Sequence, residues 1–284
     1  LDFKKMHGLG NDFVLIDARD CHIPDISNIS KAVCSRNTGV GADGLIAALR
    51  SGRADIKMVI YNSDGSQAEM CGNGLRCFAK YVYQEGIVNK KTFSVDTLAG
   101  IMYPKLVFDT GGTITGVIVD MGRPVFKARQ VPVDCSDGKF LDKKIKIGDG
   151  TYKVSAVRLG VPHSVVYVDD IKDSQVEDIG KAIENHFLFP EKTNVNFVRI
   201  IDKETIEVAT WERGAGRTLA CGTGSCAAAV ISNALGKTRR RVKVRLKLGE
   251  LLIAWKEDGR VSMEGPAVNV FSGRLCSEIY PLQS

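Results

Sequence analysis

The chain has 284 residues, 44% of them hydrophobic and 25% charged, with 39 Lys and Arg against 33 Asp and Glu for a net charge of +6. This composition excludes a disordered chain, and the basic excess suits an anionic small molecule but is too small to imply nucleic acid. No apolar run approaches the roughly 20 residues a membrane helix needs, Leu1-Asp2-Phe3-Lys4-Lys5 does not read as a signal peptide, and the eight dispersed cysteines read as reduced thiols, so the expected compartment is the cytoplasm.

Residues 1–17 read as a strand, a glycine turn and a second strand, with Asn11 on the turn. Residues 27–36 suit a short helix with Ser27 or Asn28 as its N-cap. Gly39-Val40-Gly41-Ala42-Asp43-Gly44 lacks the Lys-Ser/Thr ending of a phosphate loop and leads into an apolar strand, so nucleotide binding is not expected. Strands follow at 45–50 and 55–61. After Cys71, the residues Leu75, Phe78, Ala79 and Val82 fall on one face of a helix. Strand-like segments cover 91–96, 99–108 and 114–120, with Asp109-Thr110-Gly111-Gly112 as a hairpin turn. The polar, turn-rich residues 132–150 mark the passage into a second half, with strands at 194–201, 204–210, 241–248 and 250–255. In that half, Cys226 to Ile231 is small and apolar nearly all round, as in a helix buried on every side. The alternation from Arg241 to Leu248 fits a strand with one buried and one solvated face better than a nucleic-acid stripe.

Two stretches repeat each other. Asn62 to Gly74 and Glu212 to Gly224 each place a polar residue nine positions before a cysteine and follow it with Gly-x-Gly and a helix, and 150 residues separate them throughout. The same shift aligns Leu9-Gly10 with Leu159-Gly160, Gly44 with Asn194, and Asn11 with Val161. The fold class expected is α/β (α+β): two pseudo-symmetric domains, each a mostly antiparallel, barrel-like sheet wrapped around a central helix, with a cleft between them. A cysteine at a helix N-terminus is expected to carry a lowered thiol pKa.

Two such cysteines fit one operation, the inversion of a stereocentre, which needs a base on one face of a carbon and an acid on the other. Cys71 and Cys221 are the candidate pair. The Gly72-Asn73 and Gly222-Thr223 N–H groups are the expected anion site for an α-carboxylate. No lysine motif suggests a Schiff base, so no cofactor is expected. Structural zinc on Cys71, Cys77, Cys221 and Cys226 would need C-x5-C and C-x4-C spacings wider than the common ones, and a redox C-x-x-C is absent.

With these motifs the chain resembles the diaminopimelate epimerase family over nearly its whole length. The resemblance rests on Met6-His7-Gly8-Leu9-Gly10-Asn11-Asp12-Phe13, on Asn62 to Ser66 and Met70 to Cys77, and on Glu212 to Gly216 and Ala220 to Gly224. It implies a cofactor-independent epimerase interconverting LL- and meso-2,6-diaminopimelate, for lysine and peptidoglycan precursors. It also implies a homodimer whose C-terminal tail packs on the first domain. The domains implied are 1–122 with tail 266–284, and 123–265. Carried over by motif, Cys71 and Cys221 are the acid–base pair, with Glu212 and His163 in support. Asn11, Asn62, Gly72, Asn73, Asn194, Glu212, Arg213, Gly222 and Thr223 hold the substrate, and no metal is implied. The chain departs from the family pattern at Val161, where Asn is usual, and at Gly44, where Gln is common. The alternatives to this reading are a sister racemase acting on histidine or proline, and a zinc- or redox-regulated binding protein.

Overall fold

The computed structural model describes residues 1–21, 23, 25–136 and 138–276; of the expected tail, residues 277–284 lie outside those described. The chain divides into two compact units, Leu1–Val119 with the chain from Gly265 onward, and Asp120–Glu264.

The first unit contains β1 (Asp2–Gly8), β2 (Asn11–Asp17), α1 (Ile26–Cys34), β3 (Gly44–Leu49), β4 (Ile56–Asn62), β5 (Gln67–Ala68), α2 (Gly72–Gln84), β6 (Val95–Thr97), β7 (Gly100–Met102), β8 (Lys105–Phe108) and β9 (Ile114–Asp120). The second contains β10 (Lys143–Ile147), β11 (Gly150–Leu159), β12 (Val161–Tyr167), α3 (Asp173–Glu184), β13 (Asn194–Ile200), β14 (Thr205–Glu212), β15 (Gly216–Thr218), α4 (Gly222–Ala234), β16 (Arg241–Leu246), β17 (Gly249–Trp255) and β18 (Val261–Gly265). The chain then returns to the first unit as β19 (Val268–Arg274).

The first sheet runs β19-β1-β2-β3-β4-β6-β7 with β5 on β4. The second contains the run β10-β11-β12-β13-β14-β16-β17-β18 with β15 on β14. Neither closes into a barrel, which corrects the barrel-like expectation while leaving the α+β class. Most pairings are antiparallel, but β2–β3, β4–β6, β12–β13 and β14–β16 are parallel. In each unit an open sheet packs on a central helix: α2 lies against β1, β2 and β3, and α4 against β11 to β14, β16 and β17.

The duplication holds at the level of register. Phe13 pairs with Gly44 as His163 pairs with Asn194, Ile46 with Ile60 as Asn196 with Thr210, and Ile60 with Ala68 as Thr210 with Thr218. Each pair is shifted by the same 150 residues, so the paired side chains of β2 to β5 have counterparts on the same faces of β12 to β15. A one-residue slip would have reversed the faces.

Both central helices start on cysteine and stop on glycine. Cys71 and Cys221 are the N-caps, and each sulfur accepts the N–H three residues on. Gly86 and Gly236 both take φ of 67°, the left-handed value that glycine tolerates. Ile87 and Lys237 then donate back to the Val82 and Ser232 carbonyls at 2.9 and 2.8 Å, which caps the last turn. On α2, Leu75, Cys77, Phe78, Ala79 and Val82 face the core; on α4 the run from Cys226 to Ser232 is buried without interruption.

The structure differs from the sequence-based expectation in several places. The N-cap of α1 is Asp25, whose carboxylate accepts the Asn28 N–H at 3.1 Å, while the Ser27 hydroxyl donates to the Gly65 carbonyl instead. The 99–108 segment is two strands, because Pro104 has no N–H to continue the ladder. Helix α3 was not expected; it buries Val176, Gly180 and Ile183 beneath β13 and β14. On β16, Val242 and Val244 are buried, while Lys243 and Arg245 turn outward and pair with Glu250. At the sheet edge, β19 exposes Val268, Val270 and Phe271 by 41%, 50% and 48%.

Candidate active site

In the first unit the site is built at the N-terminus of α2. Cys71 has extended backbone (φ −136°, ψ 121°), which turns its sulfur back over the first turn to accept from Gly74 N–H at 3.5 Å. Asn11, at the start of β2, lies beside it: its Oδ1 is 3.6 Å from Cys71 Sγ and accepts from Asn73 Nδ2 at 3.2 Å. The amide has only one workable orientation, because its Nδ2 donates to Asp43 Oδ2 at 2.8 Å and a carboxylate only accepts. Asp43 is held in turn by the Asp12 N–H and by Arg36, which bridges Asp12 and Asp43. Burial pushes the Asp12 carboxyl up, but Arg36 and Lys5 outweigh it and hold Asp12 below the ordinary carboxylate range. Asn62, exposed at the end of β4, gives its Nδ2 to Ser66 Oγ at 2.9 Å.

In the second unit the N-terminus of α4 repeats the arrangement. Cys221 Sγ accepts from Gly224 N–H at 3.4 Å and lies 3.5 Å from the Thr223 hydroxyl. The thiol is not lowered as the helix terminus alone suggests. Burial, and then the negative charge of Glu212, push Cys221 well above the ordinary cysteine value, against the smaller pull of Thr223 and Gly224. Desolvation therefore outweighs the helix dipole, and Cys221 rests as the protonated thiol. Glu212 Oε1 accepts from the Thr218 hydroxyl at 2.6 Å, and both Thr218 and Cys221 line a cavity of about 130 Å³.

The loop after Glu212 is anchored from below. Trp211 donates to Glu184 at 2.7 Å and lies over Gly180, where a Cβ would come within 2.7 Å of the Trp211 Cβ. Arg213 N–H then donates to Asn194 Oδ1 at 2.8 Å, and its guanidinium to the Glu191 carbonyl at 2.9 Å. Asn194 is buried, while Arg213 is exposed. His163 is fully buried, its Nδ1 3.3 Å from Asn196 Nδ2. Burial, then the Arg213 charge, lower its pKa from 6.5 to about 3, so the ring is neutral.

The structure thus groups Asn11, Cys71, Gly72 and Asn73 at one helix terminus, Glu212, Cys221, Gly222 and Thr223 at the other, and joins Asn194 to Arg213. Sequence reasoning missed Asp43, Ser66, Asn196, Thr210 and Thr218, the groups that orient these side chains. Of the two departures, Gly44 has no room for a side chain, since a Cβ there would meet the Tyr61 carbonyl at 2.7 Å. Among the described residues no group of three or more His, Cys, Asp or Glu is placed to hold a metal ion.

Two expected results follow from this packing. A Cβ on Gly224 would come within 2.2 Å of Asn196 Oδ1, whereas one on Gly74 would meet the flexible methyl ends of Ile46 and Ile60 at 3.0 and 3.3 Å. Gly224→Ala should therefore lower thermal stability and activity clearly more than Gly74→Ala; equal losses in both would contradict it. The second concerns acid. An imidazole that cannot be charged when folded adds stability that is complete above pH 6.5 and is lost as pH falls through 6.5 toward 3. The loss is on the order of 5 kcal/mol over that window. Denaturant midpoints should show this slope in the parent, and His163→Phe should remove it.

A family model described as diaminopimelate epimerase matches residues 3–127 and 155–270. A diaminopimelate epimerase of Caldanaerobacter subterraneus subsp. tengcongensis is 50% identical over 273 residues, covering 96% of this chain and 98% of that relative. One from Heliobacterium modesticaldum is 46% identical over 279 residues, covering 97% and 99%. Among solved structures, a Bacillus anthracis phenazine biosynthesis protein of the PhzF family aligns with a TM-score of 0.71 at 14% identity, over 97% of this chain and 99% of that one. A probable proline racemase from Agrobacterium radiobacter K84 aligns with 0.69 at 17%, over 99% and 94%. These two similarities speak to the fold alone.

Proposed function

The chain belongs to the diaminopimelate epimerase family, and from that premise we propose that Cys71 and Cys221 are the groups that invert one α-carbon of 2,6-diaminopimelate. The enzyme is an isomerase that interconverts the LL and meso forms in the route to lysine and peptidoglycan precursors. The observation that carries the site assignment is the repeated N-cap: two thiols in the same helix position, on the same register of two matching units.

The chemistry follows from the two protonation states. A thiolate removes the α-proton, its S–H bond forming as the Cα–H bond breaks. The thiol on the opposite face of that carbon then delivers its proton to the carbanion, and the two sulfurs exchange roles. Cys221, whose pKa burial and the Glu212 charge push up, serves as the thiol in one direction and, once it has given its proton to the carbanion, as the thiolate in the other. The N–H groups of Gly72, Asn73, Gly222 and Thr223 serve the α-carboxylate, where negative charge builds in the transition state. Arg213, Asn62 and Asn194 serve the distal carboxylate, and Glu212 an ammonium. Asn11 Oδ1 accepts from Cys71 when that sulfur carries its proton. His163, paired in register with Asn194, supports catalysis beside the site.

We also infer a homodimer in the cytoplasm. Support for the dimer comes from β19, which ends the sheet among the described residues with Val268, Val270 and Phe271 exposed, a kind of edge that natural sheets seldom leave bare. Among the described residues no helix is long and apolar enough to cross a membrane.

The test is epimerisation of LL-diaminopimelate in deuterated water. Meso product should appear with one deuterium at the inverted carbon, and absence of both product and exchange would end the assignment. Activity should survive exhaustive dialysis, chelators and carbonyl reagents. Recovery only on adding zinc or pyridoxal phosphate would show that the two thiols do not suffice.

A further inference from the structure

Helices α1 and α3 end on residues 150 positions apart, Cys34 and Glu184, ahead of strands that begin at Gly44 and Asn194. Each helix also reaches the turn that carries candidate substrate residues. From α1, the Ser27 hydroxyl donates to the Gly65 carbonyl at 2.7 Å and the Ser30 hydroxyl to the Asn62 carbonyl at 2.9 Å. From α3 the tie is a carboxylate. Glu184 Oε2 accepts from Trp211 Nε1 at 2.7 Å, and Glu184 Oε1 accepts from the Gly214 N–H at 3.2 Å. Glu212 and Arg213 lie between these two points of attachment.

Glu184 is an unfavourable residue for this place. It is 5% exposed, and it ends α3, where the helix dipole disfavours an anion. The Lys192 ammonium, at 3.6 Å, offsets this in part, on a backbone held at φ 58°, a left-handed value uncommon outside glycine. In the first unit the corresponding helix end is Cys34, buried in an apolar cluster with Val33, Leu45 and Ala47. A helix of this scaffold can thus end on a small apolar residue, and the two bonds to the turn are what the carboxylate adds.

Side chains alternate along β14, so Trp211 and Glu212 leave it on opposite faces. Trp211 packs on Gly180 of α3, while Glu212 turns to Thr218, which lines one cavity with Cys221. Glu212 has its own tether in the Thr218 hydroxyl at 2.6 Å. Arg213 is exposed, and its guanidinium donates to the Glu191 carbonyl, so its direction follows the turn that carries it. That turn is fixed by Asn194 on the Arg213 N–H and by Glu184 on Gly214.

We propose that Glu184 is a positioning residue which, by bridging Trp211 Nε1 and the Gly214 N–H, aims Arg213 at the distal carboxylate of the substrate. This rests on Arg213 taking that carboxylate. Glu184 acts through the turn from the far face of the sheet, so its effect falls on substrate affinity and not on proton transfer.

The experiment is the kinetics of Glu184→Gln, which keeps the shape of the side chain but turns an NH₂ toward one of the two donors. KM for diaminopimelate should rise about tenfold, the low end for a hydrogen bond to a charged group, with kcat little changed. In an Arg213→Ala background the same substitution should add no further rise, because the side chain it aims is gone. A merely structural role would lower stability and leave the two effects on KM additive. ¹⁵N–¹H correlation spectra of the two tryptophans give a second reading. Trp255 Nε1 donates to the neutral Gly259 carbonyl at 3.2 Å, and Trp255→Phe assigns its signal. The Trp211 indole proton, in a shorter and charge-assisted bond, should lie downfield of it, and Glu184→Gln should move it upfield alone. If Glu184→Gln does not fold, Trp211→Phe removes the same bond and should raise KM in the same way. Unchanged KM in the folded variant, an equal added rise with and without Arg213, or a Trp211 signal that stays in place would overturn the proposal. An unchanged KM in Arg213→Ala itself would overturn the premise and the proposal with it, whereas a raised KM there beside an unchanged one in Glu184→Gln overturns the proposal alone.

Discussion

Replacing either Cys71 or Cys221 with alanine should abolish epimerisation in both directions, by a factor of about 10⁴ or more. Each thiol is the base for one epimer and the acid for the other, so neither direction survives the loss of either. The remaining sulfur keeps its own helix terminus, since Gly74 holds Cys71 and Gly224 holds Cys221 independently. Each single variant should therefore still exchange the α-proton of one epimer with solvent, without inversion. Losing a helix cap costs about 1 kcal/mol, so both proteins should remain folded. Serine at either position keeps a cap acceptor but ionises far too weakly to serve as the base. Mass spectrometry and chiral chromatography of the product in deuterated water separate exchange from inversion. Turnover near the parent level in either alanine variant would refute the two-thiol mechanism.

Arg213→Ala should lower kcat/KM on diaminopimelate by about a hundredfold. The loop itself should not move, because the contact that fixes it is the Arg213 backbone N–H to Asn194, which alanine keeps. The guanidinium donates to the Glu191 carbonyl and is exposed, which leaves room for it to take a carboxylate. Arg213→Lys should recover part of the loss, since a single ammonium cannot grip a carboxylate with two parallel bonds. Histidine and proline, which lack the distal carboxylate, should be poor substrates for the parent. An unchanged KM in Arg213→Ala would remove Arg213 from substrate binding.

Much of the fold is legible because it is local. The Cys-Gly-x-Gly caps, the one-sided helix from Leu75 to Val82 and the Asp109–Gly112 turn are each specified by a few neighbouring residues. The parts that are not legible depend on tertiary partners. Helix α3 has no side-chain N-cap, and its acidic surface hides the three residues that pack. Strand β19 is exposed along nearly its whole length and finds its place only by pairing with β1. The thiol pKa is a similar case: the helix terminus is visible in the sequence, but the burial that outweighs it at Cys221 is not. Asn196 looks like an ordinary polar residue in a strand, and its contacts with His163, Ser164 and Thr210 emerge only once the strands pair.

The unbroken burial of α4 has a consequence for hydrogen exchange. Its residues from Cys226 to Ser232 have no solvent-facing side, so no partial opening of the sheet edge or of the surface loops uncovers their amides. Those amides should exchange with solvent only when the second unit unfolds as a whole, at the free energy of global unfolding. The short strand β15 and the residues flanking it, just before the cysteine, are half-buried or exposed and should exchange by local fluctuation. Cys221 sits at the junction of the two regimes. Its position is set by the slowest-exchanging segment of its unit, while the residues that approach it from the other side remain free to adjust.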